Sequence, residues 1–251
     1  MKYKYDIKEI DKQSALEFIQ KYHYSKTLPH LNKKYLGFYL DDNLTGVVTL
    51  GWGTRPLHTI KKVFPSLETK DYYEIGRMCM TEEMPKNSES QMMSQLMKYI
   101  RVNYPDIKVI FTWSDGMLGK AGYVYQASNF LYAGYSETDC YFLNGRKIHP
   151  RETKKLFGLE NDKRKTVRPT ALQMKEHNIR HYRGRQFRYI FFTCNKKERK
   201  QLEEECLLEL NIEHPKEEDL QWRIKDVDTN KWISSERPKY TEEYNVDKYN
   251  K

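Results

Sequence analysis

Between Lys108 and Gly134 the chain reads KVIFTWSDGMLGKAGYVYQASNFLYAG. The almost continuously apolar run Val109 to Trp113 predicts a strand buried on both faces, and such a strand needs a sheet covered on both sides. Polar residues follow at once, Ser114 and Asp115, and then two glycines, Gly119 and Gly122. A short helical pattern comes next, with Tyr123, Ala127 and Phe130 near one face. A buried strand that passes through small polar residues and glycines into a helix is a common way to build a site at the carboxyl edge of a sheet. An ordinary strand-loop-helix crossover would read the same way.

The neighbouring segments supply the rest of a domain. Tyr3 to Ile7 alternates like a short strand, and Asp11 can cap a helix carrying Ala15, Leu16, Ile19 and Tyr22 on one side. Leu36 to Leu40 and Val47 to Trp52 read as strands joined by the turn Asp41-Asp42-Asn43-Leu44-Thr45-Gly46. Tyr73 to Met80 is a further strand. Ser88 and Gln91 form a capping-box pattern before the stripe Met92, Met93, Leu96, Met97 and Ile100. A helix from Ser88 to about Tyr104 would join Tyr73–Met80 to Val109–Trp113, and such crossovers join parallel strands. Cys140 to Leu143 and Arg188 to Cys194 are later strands, and a charged helix is expected from Lys196 to about Leu210. This order predicts an α/β domain with a mixed (α+β) sheet. The expected division is a catalytic domain over 1–160, a basic strand-helix extension over 161–212 that completes the domain and contacts nucleic acid, and a polar tail over 213–251, extended or partly disordered and anchored by Trp222 and Trp232.

The formal net charge of +9 favours an anionic partner. The charge is uneven: Lys163 to Arg188 holds nine Lys or Arg against one acid, Glu176. Tyr182, Phe187 and Tyr189 interleave with those arginines, a combination that can contact phosphates and stack on bases. A solvated basic linker is the plainer reading of the same block. The four cysteines, Cys79, Cys140, Cys194 and Cys206, show no metal-ligand spacing. With no opening signal peptide and no apolar stretch near the ~20 residues that span a bilayer, the expectation is a reduced, cytoplasmic protein without membrane contact.

Several short stretches together resemble the phage Mom family of DNA-modification proteins, within the GNAT acyltransferase fold. They are His23-Tyr24-Ser25, Glu74-Ile75-Gly76-Arg77, Trp113-Ser114-Asp115 with Gly119 and Gly122, Tyr125-Gln126-Ala127-Ser128-Asn129-Phe130, and Arg188-Tyr189-Ile190-Phe191-Phe192 followed by Lys196 to Lys200. The match spans roughly residues 15 to 200. The resemblance implies a GNAT-like fold for the catalytic domain over 1–160, and a transferase that attaches a carbamoylmethyl, glycine-related group to the exocyclic amine of adenine in double-stranded DNA. In a phage this protects the genome from host restriction. One departure concerns the donor: acetyl-CoA users of this fold cradle the pyrophosphate in a glycine-rich turn. Here that turn is Thr81-Glu82-Glu83-Met84-Pro85-Lys86-Asn87-Ser88, with no glycine, a proline and two acids. That argues against acetyl-CoA and leaves the acyl or aminoacyl donor open; some relatives use an aminoacyl-tRNA. Competing readings are a GNAT acyltransferase for a small molecule or protein, and a non-catalytic nucleic-acid-binding protein.

The expected site residues are His23, Tyr24, Arg77, Ser114, Asp115 and Tyr125. Arg77 is a permanent cation in an apolar strand, suited to a donor carboxylate, carbonyl or phosphate, or to a structural pair with Asp115. Asp115 could accept the amine proton. His23 could move protons near neutral pH, and Tyr24 could stack on a base. Ser114 could donate to a developing oxyanion or cap a helix. The resemblance assigns Tyr125 the protonation of the leaving group. Gly119, Gly122 and Asn129, with Arg77, are the expected donor contacts. Arg180, Arg183, Arg185, Arg188, Lys196 and Lys197 are the expected nucleic-acid contacts. A metal bound by His23 or Tyr24 lacks a second ligand at recognisable spacing.

Overall fold

A computed structural model describes residues 3–148, 156–159, 168–211 and 213–239. Its strands are β1 (Asp6–Glu9), β2 (Asn32–Leu40), β3 (Asn43–Gly51), β4 (Tyr72–Met80), β5 (Val109–Asp115), β6 (Leu131–Leu143), β7 (Arg146–Ile148), β8 (Ile179–Phe192), β9 (Trp222–Lys225) and β10 (Trp232–Ser235). They form one ten-stranded sheet in the order β1-β2-β3-β4-β5-β8-β6-β7, with β9 pairing to β8 and β10 to β9. Among the described residues only β4 and β5 run parallel; the other pairs are antiparallel. The mixed sheet expected from the sequence is therefore present.

The parallel pair is joined by α3 (Ser88–Asn103), which buries all five residues of its predicted stripe. α3 packs with Ile110 on one face of the sheet, whereas α2 (Pro56–Lys61) and the loop after it pack with Phe111 on the other. Successive β5 residues point to opposite faces, so one apolar run serves two cores. α1 (Lys12–Tyr22) starts where expected: the Asp11 carboxylate accepts the Ser14 N–H at 2.9 Å. The Ser88/Gln91 capping box does not form. Asn87 holds the cap position with φ +70°, and the Gln91 side chain instead accepts the Tyr3 N–H at 2.8 Å. That bond and its counterpart from Tyr5 to Gln95 tie the chain's start to α3, so β1 begins at Asp6 rather than Tyr3.

The larger corrections concern the second half. α4 (Tyr123–Gln126) is a single turn, and Tyr125 is buried while Tyr123 is exposed. The charged helix stops at Glu205. The basic strand-helix segment completes the domain from inside the sheet rather than at its edge: β8 starts at Ile179 and lies between β5 and β6. Arginines fit there because β6 sets Asp139 opposite Arg183 and Glu137 opposite Arg185. The segment after residue 213 also folds back. Trp222 donates its indole N–H to the Met117 carbonyl at 3.2 Å, and the Trp232 ring lies 4.3 Å from the Arg183 guanidinium, fixing the β9–β10 hairpin to the sheet. Lys163 to Val167 and the last stretch of the tail, 240–251, lie outside the described residues.

Candidate active site

β4 and β5 are paired only at Tyr72–Val109, Tyr73–Ile110 and Glu74–Phe111. Beyond Glu74 the two strands part. The cause lies in β4, where Leu50 opposes Ile75 and Thr49 opposes Arg77, leaving Gly76 as the extra residue of a bulge. A bulge bends its strand and strengthens the local twist, here with β4 staying on β3 and leaving β5. Only glycine fits: a Cβ at Gly76 would stand 2.9 Å from Pro29 and 3.0 Å from Asn32 and Thr49.

The loop after β5 fills one side of the opening. Asp115 accepts the Met117 N–H at 3.0 Å and starts a short 3-10 turn, Gly116–Leu118. The Ser114 hydroxyl donates to the Lys120 carbonyl at 2.8 Å. Gly122 then turns the chain with φ +94°, where a Cβ would lie 2.6 Å from the Tyr189 ring. This brings α4 beside the β4 edge.

Two cavities meet at the opening. One, of about 280 Å³, reaches toward α3 and α4 and is lined by His23, Tyr24, Arg77, Ser114, Asp115, Gly119, Gly122 and Tyr125, together with Glu89. The other, of about 460 Å³, lies toward α2 and is lined by Thr54, Thr59, Glu74, Ser136, Lys147 and Gln186, among others. Tyr24, Ile75, Gly76, Arg77, Trp113 and Asp115 belong to both. Residues from α1's end, β4, β5 and α4 thus converge, although up to a hundred positions separate them in sequence. Asn129 does not join them: it is an exposed turn residue at φ +61° that follows α4 and lines neither cavity.

The local chemistry differs from the expectation at four residues. Burial, reinforced by the Arg77 charge, lowers the His23 pKa to about 3, and its Nδ1 accepts the Ser25 N–H at 2.8 Å. His23 is therefore a neutral imidazole that positions Ser25, and not a proton carrier near neutral pH. The Tyr24 ring stacks on His23 at 4.1 Å and carries the Lys120 ammonium 4.6 Å from its centre, so its π-surface already has two partners within the protein. Ser114 has committed its proton to Lys120 and cannot donate it to an oxyanion. Arg77 donates to the Thr27 carbonyl at 2.9 Å, the Gly76 carbonyl at 2.6 Å and the Ser25 hydroxyl at 2.9 Å, which clamps the segment after α1 onto the bulge.

Asp115 stands at the junction of the cavities. Burial raises its pKa, against the charges of Lys147 and Lys120 and the N–H groups of Met117 and Leu118. A carboxylate raised in this way is a stronger base than an exposed one. Burial likewise raises the Tyr125 pKa, keeping its phenol protonated. Glu74, Trp113 and Lys147 complete the site, and the sequence marked none of them as functional beyond their place in a motif. A glutamate inside a buried strand was the available signal for Glu74; Lys147 on three-residue β7 gave none.

The turn Thr81–Ser88 borders a third cavity, of about 540 Å³, which shares Glu89, Tyr123 and Val124 with the first. Within the turn the Met84 N–H is taken by the Thr81 carbonyl and the Ser88 N–H by the Pro85 carbonyl. Those amides are consumed locally, and Glu82 and Glu89 add negative charge to the lining.

The model of the Mom protein family matches residues 4–210. The chain belongs to the Mom protein family. It is 32% identical over 188 residues to the methylcarbamoylase mom of Escherichia phage Mu, covering 75% of each chain. Among solved structures it is similar to an N-acetyltransferase from Staphylococcus aureus Mu50, with a TM-score of 0.41, 13% identity and coverage of 77% of this chain and 100% of that one. It is also similar to a Bacillus subtilis acetyltransferase, with a TM-score of 0.39, 11% identity and coverage of 75% and 99%. The family match ends before β9, so the hairpin that closes on β8 lies beyond it.

The expected nucleic-acid residues do not form one patch. β8 alternates its side chains, so Arg180 and Arg188 face one side and Arg183 and Arg185 the other. Arg183 is bound to Asp139 at 2.7 Å and to Glu137 at 3.2 Å. Arg188 packs on the Trp113 ring at 4.6 Å and donates to the Ala133 carbonyl. Phe187 is fully buried and Tyr182 nearly so, which removes them as base-stacking groups. Arg180 is exposed at one end of a strand roughly 45 Å long, and Lys196 and Lys197 lie beyond the other. Arg185, half-buried over the Tyr135 ring at 4.2 Å, donates to the Asp219 carbonyl at 3.1 Å.

Proposed function

We propose that this chain is a DNA-modifying transferase that adds a carbamoylmethyl group to the exocyclic amine of adenine, with a donor in the α3/α4 cavity and the acceptor base in the cleft on the α2 side. The observation that carries this reading is the pair of cavities meeting at Asp115, since a transferase must bring two substrates together at one point. The relationship to a phage protein named methylcarbamoylase supports a carbamoyl-bearing group as the one transferred.

The exocyclic amine of adenine is a weak nucleophile because its lone pair is conjugated with the ring. A positioned base is therefore required. In the reaction N6 forms a bond to the transferred carbon and its proton passes to the Asp115 carboxylate. The leaving group departs with the electron pair of the broken bond and takes its proton from the Tyr125 phenol. Arg77 fixes the strand bulge and adds positive charge near the donor. Base extrusion from the duplex would bring N6 into the cleft. Arg180, Arg185, Lys196 and Lys197 are the surface cations proposed to meet the phosphate backbone, and a tRNA-borne donor would use the same type of contact. In a phage-infected cell the product would act in the host cytoplasm, shielding the genome from restriction.

Mass spectrometry of nucleosides from cells expressing the protein tests the reading. A carbamoylmethylated deoxyadenosine, absent from cells without it, is the expected result. Unmodified adenine alongside abundant folded protein would refute it. Retention on immobilised CoA is expected to be weak, because the Thr81–Ser88 turn lacks glycine, carries two acids and spends its Met84 and Ser88 N–H groups on its own carbonyls.

A further inference from the structure

We propose that the segment after β10, together with Lys120 of the site loop, forms the track that holds the DNA backbone at the mouth of the site. This rests on the reading of the chain as a DNA-modifying transferase. Arg237 and Lys239 are exposed, while Pro238 between them is buried. The proline anchors the segment and leaves both cations to solvent. Arg237 crosses the site loop, where its guanidinium donates to the Leu118 carbonyl at 3.3 Å. The loop is shaped to receive it: at Gly119, with φ +75°, a Cβ would collide with Arg237 Nη1.

Two grooves meet at this segment. One, of about 380 Å³, is lined by Tyr24, Leu118, Lys120, Arg237 and Lys239, among others. It shares Tyr24 and Lys120 with the α3/α4 cavity, and Tyr24 and Leu118 with the cleft on the α2 side. The other groove, of about 350 Å³, shares Lys239 and continues to Arg180 and the turn residues Asn144 and Asn178. Charge sets these grooves apart. The cavities of the site all carry acids: Glu89 and Asp115 in the first, Glu74 and Asp115 in the second, Glu82 and Glu89 in the third. The two grooves carry none. Among the described residues no carboxylate pairs with Lys120, Arg180, Arg237 or Lys239; Lys120 rests on the Tyr24 ring and Arg237 on a carbonyl.

A base extruded into the cleft stays tied to its sugar, so the phosphates on either side of it lie at the mouth. Cations at that mouth neutralise them, and cations leading away from it hold the phosphates that follow. Lys120, Arg237, Lys239 and Arg180 supply both, as point charges and a fork that grip phosphates without reading sequence. Arg183 cannot share the task, because Asp139 and Glu137 already hold it. An acidic protein would meet the same charges but has no need of them at the mouth of a catalytic cleft. Arg237 and Lys239 lie beyond the family match, which ends at residue 210, so the resemblance assigns them nothing.

The test measures the affinity of the purified full chain for a defined DNA duplex across a salt series. Each lost phosphate contact lowers the slope of log affinity against log salt by about 0.9, so Arg237→Gln with Lys239→Gln should lower it by about 1.8. Lys120→Gln, on the site loop, should lower it by about 0.9 on its own, an independent reading if the pair disturbs the end of β10. Lys12→Gln with Lys98→Gln removes the same charge from exposed positions on α1 and α3 and should leave the slope unchanged. An unchanged slope in the Arg237/Lys239 pair, or an equal fall in the Lys12/Lys98 pair, would overturn the track. Retention on poly-glutamate without affinity for DNA would overturn it too, and give the grooves to an acidic protein. Nucleoside mass spectrometry of cells expressing the wild type tests the underlying function separately: unmodified adenine would refute that function, whereas modified adenine with an insensitive slope would sink only the track.

Discussion

β5 shares one seam with β4 and another with β8, and the two could hardly differ more. The β4 seam is parallel, paired over three positions, and then opens at a glycine bulge. The β8 seam is antiparallel and stays paired from Val109–Phe192 to Asp115–Gln186. Charges near the closed side find partners within the sheet, as Arg183 does on Asp139 and Glu137. At the opening, Glu74 and Asp115 are half-buried on the cavity walls, and desolvation moves their pKa values upward. A carboxyl whose proton affinity is raised beside a cavity is available to a substrate, whereas one bound by two guanidinium nitrogens is not. Polar groups at the first seam face cavities; those beyond the second pair with one another and hold the fold.

The contrast can be strained hardest at Gly122. Gly122→Val combines a left-handed backbone with a collision against the Tyr189 ring, and should cost about 3 kcal/mol or more. A urea unfolding midpoint near wild type would show that the loop lining the opening tolerates rearrangement. On the closed side, Arg183→Ala leaves Asp139 largely buried without its main partner and should cost about 2–3 kcal/mol, measured in the same way. Modification per folded molecule should stay unchanged, because Arg183 lines neither cavity at the opening; a loss would couple the two regions.

A pH series separates them further. Burial lowers the His181 pKa from 6.5 to about 4, with the Asp139 charge opposing. The unfolded chain therefore takes up a proton near pH 6.5 that the native chain refuses until near pH 4, so this group lowers stability as pH falls through that window. His181→Phe keeps a ring against Tyr141 and removes the titration. Its stability relative to wild type should improve by about 2 kcal/mol between pH 7.5 and pH 5. Parallel curves would mean that His181 titrates normally. The smallest effect is expected at Lys196 and Lys197, both exposed on the helix after β8. Replacing them with alanine should change stability by less than about 0.5 kcal/mol. If they meet DNA, the slope of log affinity against log salt should fall by roughly one per lost contact.

Much of the opening was legible in the sequence because its parts are local. The apolar run before Ser114, the Met-rich stripe of α3 and the glycines after Asp115 each fix a strand, a crossover helix or a turn over a few residues. Resemblance then gathered His23, Arg77 and Tyr125 from distant segments. The closed side was less legible because its physics is nonlocal. Arg183 reads as a surface cation until Asp139, 44 positions earlier, is set opposite it by strand register. Trp232 reads as an isolated anchor until β9–β10 folds onto β8. The functional direction of each polar atom was equally hidden: a serine or histidine in a motif does not reveal that Lys120 takes its proton or that Ser25 takes its lone pair.

The central claim is that chemistry takes place where the β4–β5 seam opens, with Asp115 as the base. Asp115→Asn keeps an oxygen to accept the Met117 N–H and removes the basic charge. Modified deoxyadenosine should therefore be quantified by mass spectrometry in cells holding equal amounts of folded wild-type and Asp115→Asn protein. The account predicts a yield roughly 10²- to 10⁴-fold lower for the variant at an unchanged melting temperature. Modification by Asp115→Asn at the wild-type level would contradict it.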